Sequence, residues 1–198
     1  MKKIIFLSVF LMITNLIYSQ AFLFRGIPWG TSKAKIIETE GIPRVNEEDY
    51  LEYSEKDVAG YKAKLEYMFQ NGDELMATNY QLNFPTRRLA SNDYDPTEYV
   101  NSYIDLQEKL SSLYGRPLET NNLDKIQNGI SSLAVRRFQV SKPVFTIWVN
   151  SNTHIALIFN YEAESRTYST ELMYVGDENY WKLLDEYFFH PQQNTSGL

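Results

Sequence analysis

Few side chains in this sequence could do chemistry, and their spacing limits which chemistry is open to them. There are two histidines, His154 and His190, and no cysteine. Two histidines cannot make a three-histidine zinc site, and no His-Glu-x-x-His run places a pair on one helix face. Without cysteine there are no disulfides, thiolate nucleophiles, cysteine zinc sites or lipid-bearing cysteine. A serine nucleophile would need one of the histidines as its base, and no Gly-x-Ser-x-Gly elbow presents such a serine. His154 follows a turn and opens a strand-like run, while His190 stands before Pro191 near the end of the chain. Both read as surface or rim residues. There is no Walker A loop and no Gly-x-Gly-x-x-Gly, so the glycines punctuate turns. The sequence implies no metal and no cofactor.

Carboxylates are the next candidates. Glu47, Glu48 and Asp49 form one acidic group, and Asp93 with Asp95 a second. Either could bind calcium or act as an acid/base pair, but neither has the spacing of a calcium loop. Asp95 is better placed as a helix cap. The unusual feature is aromatic: fifteen tyrosines, eleven phenylalanines and three tryptophans in 198 residues. Tyrosine joins a large apolar body to a polar tip, which suits a half-buried sheet face and a binding surface equally. The binding candidates are Trp29, in a glycine-rich turn, with Tyr50, Tyr53 and Trp148. The competing reading of Trp29 is a plug against the edge of a sheet.

These residues need elements to hold them. The clearest is a long amphipathic helix from Asp95 to Pro117. Asp95 can accept from the first free amides, Pro96 suits the first helical position, and Glu98 stands where a capping box wants an acid. Tyr99, Tyr103, Leu106, Leu110 and Leu113 make one apolar stripe, with Val100 and Ile104 beside it and Asp105, Lys109 and Ser112 facing away. Gly115 and Pro117 end the helix. A shorter helix, capped by Thr31 or Ser32, runs through Glu40 and stops the same way at Gly41 and Pro43. Asp177 caps a last helix whose apolar side is Tyr180, Trp181, Leu184, Tyr187 and Phe188.

Strand patterns fill the intervals. Tyr61, Ala63, Leu65, Tyr67 and Phe69 alternate with polar residues, and Asn71-Gly72 is hairpin chemistry. The return strand sets Met76, Thr78, Tyr80, Leu82 and Phe84 on one face. Further runs are Leu133–Val140, Val144–Val149, Ile155–Tyr161 and Tyr168–Val175, the middle two joined by Asn150-Ser151-Asn152. Residues 44 to 58 read as an acidic loop with one short strand, 86 to 94 as a polar linker, and 118 to 130 as a polar connection with one helical turn near Leu123–Gln127. A strand that is apolar on one side can bury one side only. The pattern therefore predicts an α+β fold, an antiparallel sheet with helices packed on one face. The order of elements comes twice, so two tandem helix-then-strands units, 20–94 and 95–190, could make up the single domain 20–190.

Composition bounds the rest. A chain of this length with 43% hydrophobic residues can bury a core. Lys2 and Lys3 precede an apolar run from Ile4 to Ile17 and small residues suited to cleavage after Ser19 or Ala21. That is a signal peptide over residues 1–19, with an uncleaved anchor or a buried helix as alternatives. Its loss takes the formal charge from −6 to −8. So acidic a surface repels phosphate backbones, which argues against a nucleic-acid partner. No later run approaches spanning length, so the mature chain should carry no transmembrane segment. The polar residues 191–198 read as a disordered tail.

The segment FRGIPWGTSKAKIIETEGIP, with GYKAKLEYMFQNGDEL and the helix end LYGRP, resembles small exported bacterial domains of unknown function that open on a Trp-Gly-x-Ser turn. Their layout is similar to the SmpA/OmlA envelope lipoproteins and the β-lactamase-inhibitor-protein fold, which implies a helical layer on an antiparallel sheet. This chain departs from the lipoproteins in having no cysteine at the cleavage site. The reading that follows is an exported, periplasmic or secreted, non-enzymatic binding or envelope accessory protein with an envelope protein partner. The alternative is a periplasmic hydrolase using carboxylate acid/base chemistry in a helix–sheet cleft.

Overall fold

The computed structural model describes residues 24–82, 84, 96–121, 123–124, 126, 144–162 and 167–190. The expected signal segment 1–19, the linker expected over 86–94 with Asp93, the capping candidate Asp95, the strand expected over 133–140 and the tail 191–198 lie outside the described residues, as does the Tyr187 side chain.

The elements in chain order are α1 (Lys33–Glu40), β1 (Val45–Asn46), β2 (Tyr50–Val58), β3 (Tyr61–Gln70), β4 (Glu74–Leu82), α2 (Thr97–Tyr114), β5 (Glu119–Asn121), β6 (Val144–Asn150), β7 (Thr153–Glu162), β8 (Thr167–Val175) and α3 (Glu178–Leu184). A π turn, Asp185–Phe189, continues α3. The eight described strands form one antiparallel sheet in the order β1-β2-β3-β4-β8-β7-β6-β5. The fold is thus α+β, as the alternation requires. Each helix-then-strands series lays its strands side by side, and the last strands of the two series, β4 and β8, pair at the centre with Ala77 opposite Val175 and Gln81 opposite Glu171.

One face of the sheet carries the larger core. Ile36 of α1 and Tyr103, Leu106 and Leu110 of α2 pack there with Leu65 and Tyr67 of β3, Tyr80 and Leu82 of β4, Ile155, Leu157 and Phe159 of β7, and Leu172 of β8. α3 lies across the opposite face, beyond the arrangement expected from the sequence. Trp181 and Phe189 cover Phe145, Ile147, Ala156 and Ile158, the alternate residues of β6 and β7. Over β2, β3 and β4 the second face carries Glu52, Lys64, Glu66 and Asn79, while Met68, Met76 and Ala77 join the smaller cluster.

Both early helices stop by one device. Gly41 and Gly115 take φ of 90° and 83°, and their N–H groups return to the carbonyls of Ile37 and Ser111 at 2.9 Å. Ser32, of the two capping candidates, accepts from the Lys35 amide. α2 begins just after Pro96 with Glu98 in its first turn. Its buried stripe ends earlier than the spacing suggests, because Leu113 is 70% exposed and the last inward position falls on Tyr114. A seven-residue repeat drifts on a helix of 3.6 residues per turn, and the end of the rod leaves the floor.

Three further departures share one physical cause, a local change of period. Residues 44–58 form two strands rather than a loop with one short strand. A bulge between Tyr53 and Lys56 breaks the alternation that would have marked β2, and Glu55 there takes φ 55°. Leu51 and Tyr53 still face the core, opposite Tyr67 and Leu65. In β4 the pairing runs Met68 to Ala77 and then Phe69 to Leu75, so Met76 is an extra residue. Leu75 joins the larger core and Met76 turns to the other face, against the expected grouping of Met76 with Tyr80. At the end of α3 the π turn advances the inward face by one residue. Phe189 is buried there, while Phe188, the expected core residue, is exposed.

The stripe on α2 makes a measurable distinction. Leu106→Ala should lower unfolding free energy by about 3 kcal/mol, as expected for a methyl-rich side chain removed from a packed core. Leu113→Ala should change it by no more than about 0.5 kcal/mol. Urea denaturation of both variants checks this, and equal effects would show that α2 is seated differently.

Candidate functional site

The four binding candidates do not come together. Trp148 is fully buried in the larger core, and its Nε1 has no hydrogen-bond partner. Tyr53 is also buried, its hydroxyl donating to the Gly41 carbonyl at 3.1 Å and its ring edge-on to Tyr67. Neither ring is offered to a partner. Tyr50 is half-buried at the start of β2, opposite Met68. β2 and β6 stand five strand steps apart in the sheet, about 24 Å at ~4.8 Å per step.

Trp29 is half-buried and serves as a plug. Its Nε1 donates to Thr153 Oγ1 at 2.8 Å, and its ring stacks on Phe24 at 6.3 Å. The indole lies on Gly176, where an added Cβ would come within 2.2 Å of the ring. The surrounding turn is fastened by Gly30 donating to Leu75 and Leu75 to Thr31, at 2.8 and 3.1 Å. Gly176 therefore serves close approach: the residue that follows β8 is small enough for Trp29 to lie across.

A charged group lies over the larger core. Arg25 and Gly26, at φ of 52° and 79°, form the tight turn between bridged Phe24 and Ile27. The turn drops the Phe24 ring among Tyr67, Tyr80 and Tyr174, with centroids 5.1 to 5.9 Å away. Arg25 then reaches Glu40 at 2.8 Å and the Tyr80 hydroxyl at 3.2 Å. Glu40 also takes Lys56 at 2.8 Å and the Tyr67 hydroxyl at 2.7 Å. Burial works to raise the Glu40 pKa, but hydrogen bonds from Lys56, Tyr67 and Arg25 outweigh it and hold the carboxyl below its usual range. Burial and the bond to Glu40 push the Tyr67 phenol far up. Glu40 has its donors already, so this group reads as a clamp.

The second face of the sheet holds another polar constellation, in which Glu52 and Asn79 are buried. Arg44 pairs with Glu52, and Lys64 bridges Glu52 at 3.5 Å and Glu66 at 2.9 Å. The Asn79 amide donates to Glu66 at 3.5 Å and to Glu171 at 3.2 Å, and Ser169 donates to Glu171 at 2.9 Å. Asn79 Oδ1 is buried without a donor. Strand pairing creates this row, since Glu52, Glu66 and Asn79 are successive cross-strand partners.

The row ends in a cavity of about 590 Å³. It opens where β4 and β7 finish and β8 begins, beside the first turn of α2. Gln81 and Leu82 come from β4, Tyr99 from α2, Asn160 and Tyr161 from β7, and Thr167, Tyr168, Ser169 and Glu171 from β8. Tyr161 and Tyr168 centroids lie 4.9 Å apart and Tyr99 and Tyr168 6.3 Å apart, and all three rings pack into or against the larger core. Sequence reasoning placed Tyr99 and Tyr168 in the core faces, and both are buried in the larger core. The space left between the strand ends has no signal along the chain.

Both histidines sit at edges. His154 stacks on Trp181 at 4.4 Å and meets Glu178 at 3.1 Å. His190 joins Glu119 of β5 at 2.9 Å to Asp185 of the π turn at 3.0 Å. Among the described residues no group of three or more His, Cys, Asp or Glu is arranged to hold a metal ion, and no helix is long and apolar enough to cross a membrane. The acidic stretch Glu47–Asp49 lies in the turn between β1 and β2, where the Lys33 ammonium meets the Glu47 and Glu48 carbonyls at 2.5 and 2.6 Å. The chain matches no protein-family model, no curated protein and no solved structure.

Two outcomes follow. Gly176→Ala should cost about 2 kcal/mol through overpacking against Trp29. Adding Trp29→Ala should recover part of that loss in a double-mutant cycle, and strict additivity would mean that the two do not touch. For His190, the hydrogen bond to Glu119 raises the pKa, the slight burial opposes it, and the bond to Asp185 adds to the rise. Its stabilising contact is complete below the unfolded value of about 6.5 and is lost as pH rises through the higher folded value. Unfolding midpoints should therefore fall between pH of about 6 and about 8, and His190→Gln should flatten that slope.

Proposed function

We propose that the protein is an exported, non-enzymatic binding protein of the bacterial envelope, holding its ligand or partner through the cavity and the polar row leading into it. The cavity carries this reading. Its volume lies within the range of small-molecule sites, and amide, hydroxyl and carboxylate groups on strand ends line it. Such groups orient a ligand. The hydrolase alternative would need a second carboxylate or a histidine facing Glu171. The other described lining residues carry phenol, amide or hydroxyl groups, or are Leu82. Export rests on Lys2, Lys3 and the apolar run behind them. The likeness in layout to the envelope lipoproteins belongs to the same reading, supported by helices laid on an antiparallel sheet.

One preparation tests both parts. Protein isolated from the envelope of its native host should begin at Gln20 or Phe22 and retain a bound ligand or partner. A Thr167→Trp variant, with thermal unfolding like that of wild type, should lose that partner because the indole fills the cavity. An intact Met1 would defeat the cleavage reading. Equal retention by both proteins would defeat the cavity as the binding site.

A further inference from the structure

Strand alternation turns part of the cavity lining to the second face of the sheet. Gln81 of β4, Asn160 of β7, and Ser169 and Glu171 of β8 adjoin in sequence residues that face the larger core, such as Leu82, Phe159 and Leu172. Register makes them neighbours, since Gln81 pairs with Glu171 and Asn160 with Ser169. All four are half-buried. Glu171 is held at both oxygens, by Ser169 on Oε1 at 2.9 Å and by Asn79 on Oε2 at 3.2 Å. A carboxylate has about four lone-pair positions, so one on each oxygen is left for a ligand. Asn160 Oδ1 accepts the Tyr161 amide at 2.9 Å, which leaves its NH2 group to donate. Ser169 gives its proton to Glu171 and keeps its own lone pairs. Gln81 adds an amide that can both donate and accept.

Such a mixture suits neither kind of ion. A cation would meet the amide donors of Gln81 and Asn160, and an anion would meet Glu171. None of the described lining residues is Lys, Arg or His, and Lys64, opposite Gln81 on β3, is shared between Glu52 and Glu66. The group that satisfies donors and acceptors together is a hydroxyl, which gives one proton and accepts through two lone pairs. Two hydroxyls on adjacent carbons can both donate to one carboxylate, one to each oxygen, and such charge-assisted bonds are about twice as strong as neutral ones. Resting on the reading of the cavity as a binding site, we propose that its ligand is an uncharged carbohydrate bound through a vicinal diol. Glu171 receives the two hydroxyl protons, and the Gln81 and Asn160 amides donate to the hydroxyl oxygens. The diol belongs either to a free sugar or to a glycan chain, and the chemistry at Glu171 is the same for both.

Calorimetric titration of the mature protein tests this with the methyl glycosides of glucose, galactose and mannose, their monodeoxy analogues and the corresponding trisaccharides. At least one glycoside should bind at millimolar concentration, and at least tenfold more tightly than the analogue lacking one hydroxyl of the diol. Tighter binding of a trisaccharide than of its glycoside assigns the site to a glycan chain, and equal binding to a free sugar. Glu171→Gln keeps the size of the side chain but removes the charge and one acceptor, and should weaken binding at least tenfold. Gln81→Leu, at a half-buried position, should weaken it severalfold with the melting temperature kept, so the site is tested even if Glu171→Gln folds poorly. Absence of binding by every sugar at millimolar concentration would overturn the carbohydrate assignment, and so would sugar binding that both variants leave unchanged. In either case, retention of a native partner by wild type and not by Thr167→Trp would show the cavity still to be a site.

Discussion

The ladder between β4 and β8 is the constraint on which the rest of the molecule depends. It joins two sets of strands that are otherwise separate in sequence, through five pairs from Ala77–Val175 to Gln81–Glu171. Side chains alternate with period two, so its register decides which residues of each strand share a face. The observed register puts Tyr80 and Leu82 with Leu172 and Tyr174 beneath the helices, and Asn79 and Gln81 with Glu171 on the open face. A slip by one residue would drive Glu171 into the core and expose Leu172. Two features pin the register near one end. Gly176 and Asp177 both donate to the Met76 carbonyl, at 2.9 and 3.3 Å, and Trp29 closes over Gly176. The bulge at Met76 thus lies where the chain leaves β8 for α3, and it supplies the acceptor for that exit.

Much of this was legible in the residues, and the illegible parts fail for identifiable reasons. Tyr61 to Phe69, the Asn71-Gly72 turn, α2 and the two Gly-x-Pro stops all show local chemistry that agrees with their final state. β2 was hidden because its bulge breaks the alternation and its open-face residues, Glu52 and Asp57, look like a loop. Phe189 was missed because a π turn shifts the inward face by one residue, which no period-3.6 count contains. α3 on the second face could not be read at all, since its amphipathic side fits either surface of the sheet. The candidate site was least visible. Trp148 and Tyr53 have the composition of binding residues, but aromatic content alone does not separate a core from a surface. The cavity lies where β4 stops short while β7 and β8 stay paired as far as Glu162 and Thr167, a fact of pairing with no trace along the chain.

One local violation was visible in the sequence. Glu40 ends α1 with a negative charge where the helix dipole is also negative. An acid in that place calls for cations from elsewhere. Arg25 and Lys56 supply them, fifteen and sixteen residues away in sequence, with Tyr67 as a third donor. The cluster is dear in desolvation, and a packed apolar group could replace it with little loss of stability. What an apolar group would not do is orient the Phe24–Ile27 turn, because hydrophobic contact has no direction. Arg25 holds a φ uncommon for its type, and in that pose its guanidinium meets two acceptors, Glu40 and the Tyr80 hydroxyl. The charge group therefore aims the N-terminal turn so that Phe24 falls between the tyrosines and Trp29 reaches Gly176.

These constraints meet at the cavity. Gln81 and Leu82 belong to the first series of strands, and the remaining lining residues belong to α2 and the second series. The pocket is therefore a property of the pairing between β4 and β8, since neither side encloses it alone. A ligand that touches both walls binds only the registered state, so by mass action it must favour that state over any in which the seam has opened. Binding and cohesion of the sheet are then one equilibrium. The polar row extends the same logic across the first series, from Glu171 through Asn79 and Glu66 to Lys64, Glu52 and Arg44. That chain of contacts crosses the seam where Asn79 donates to Glu171.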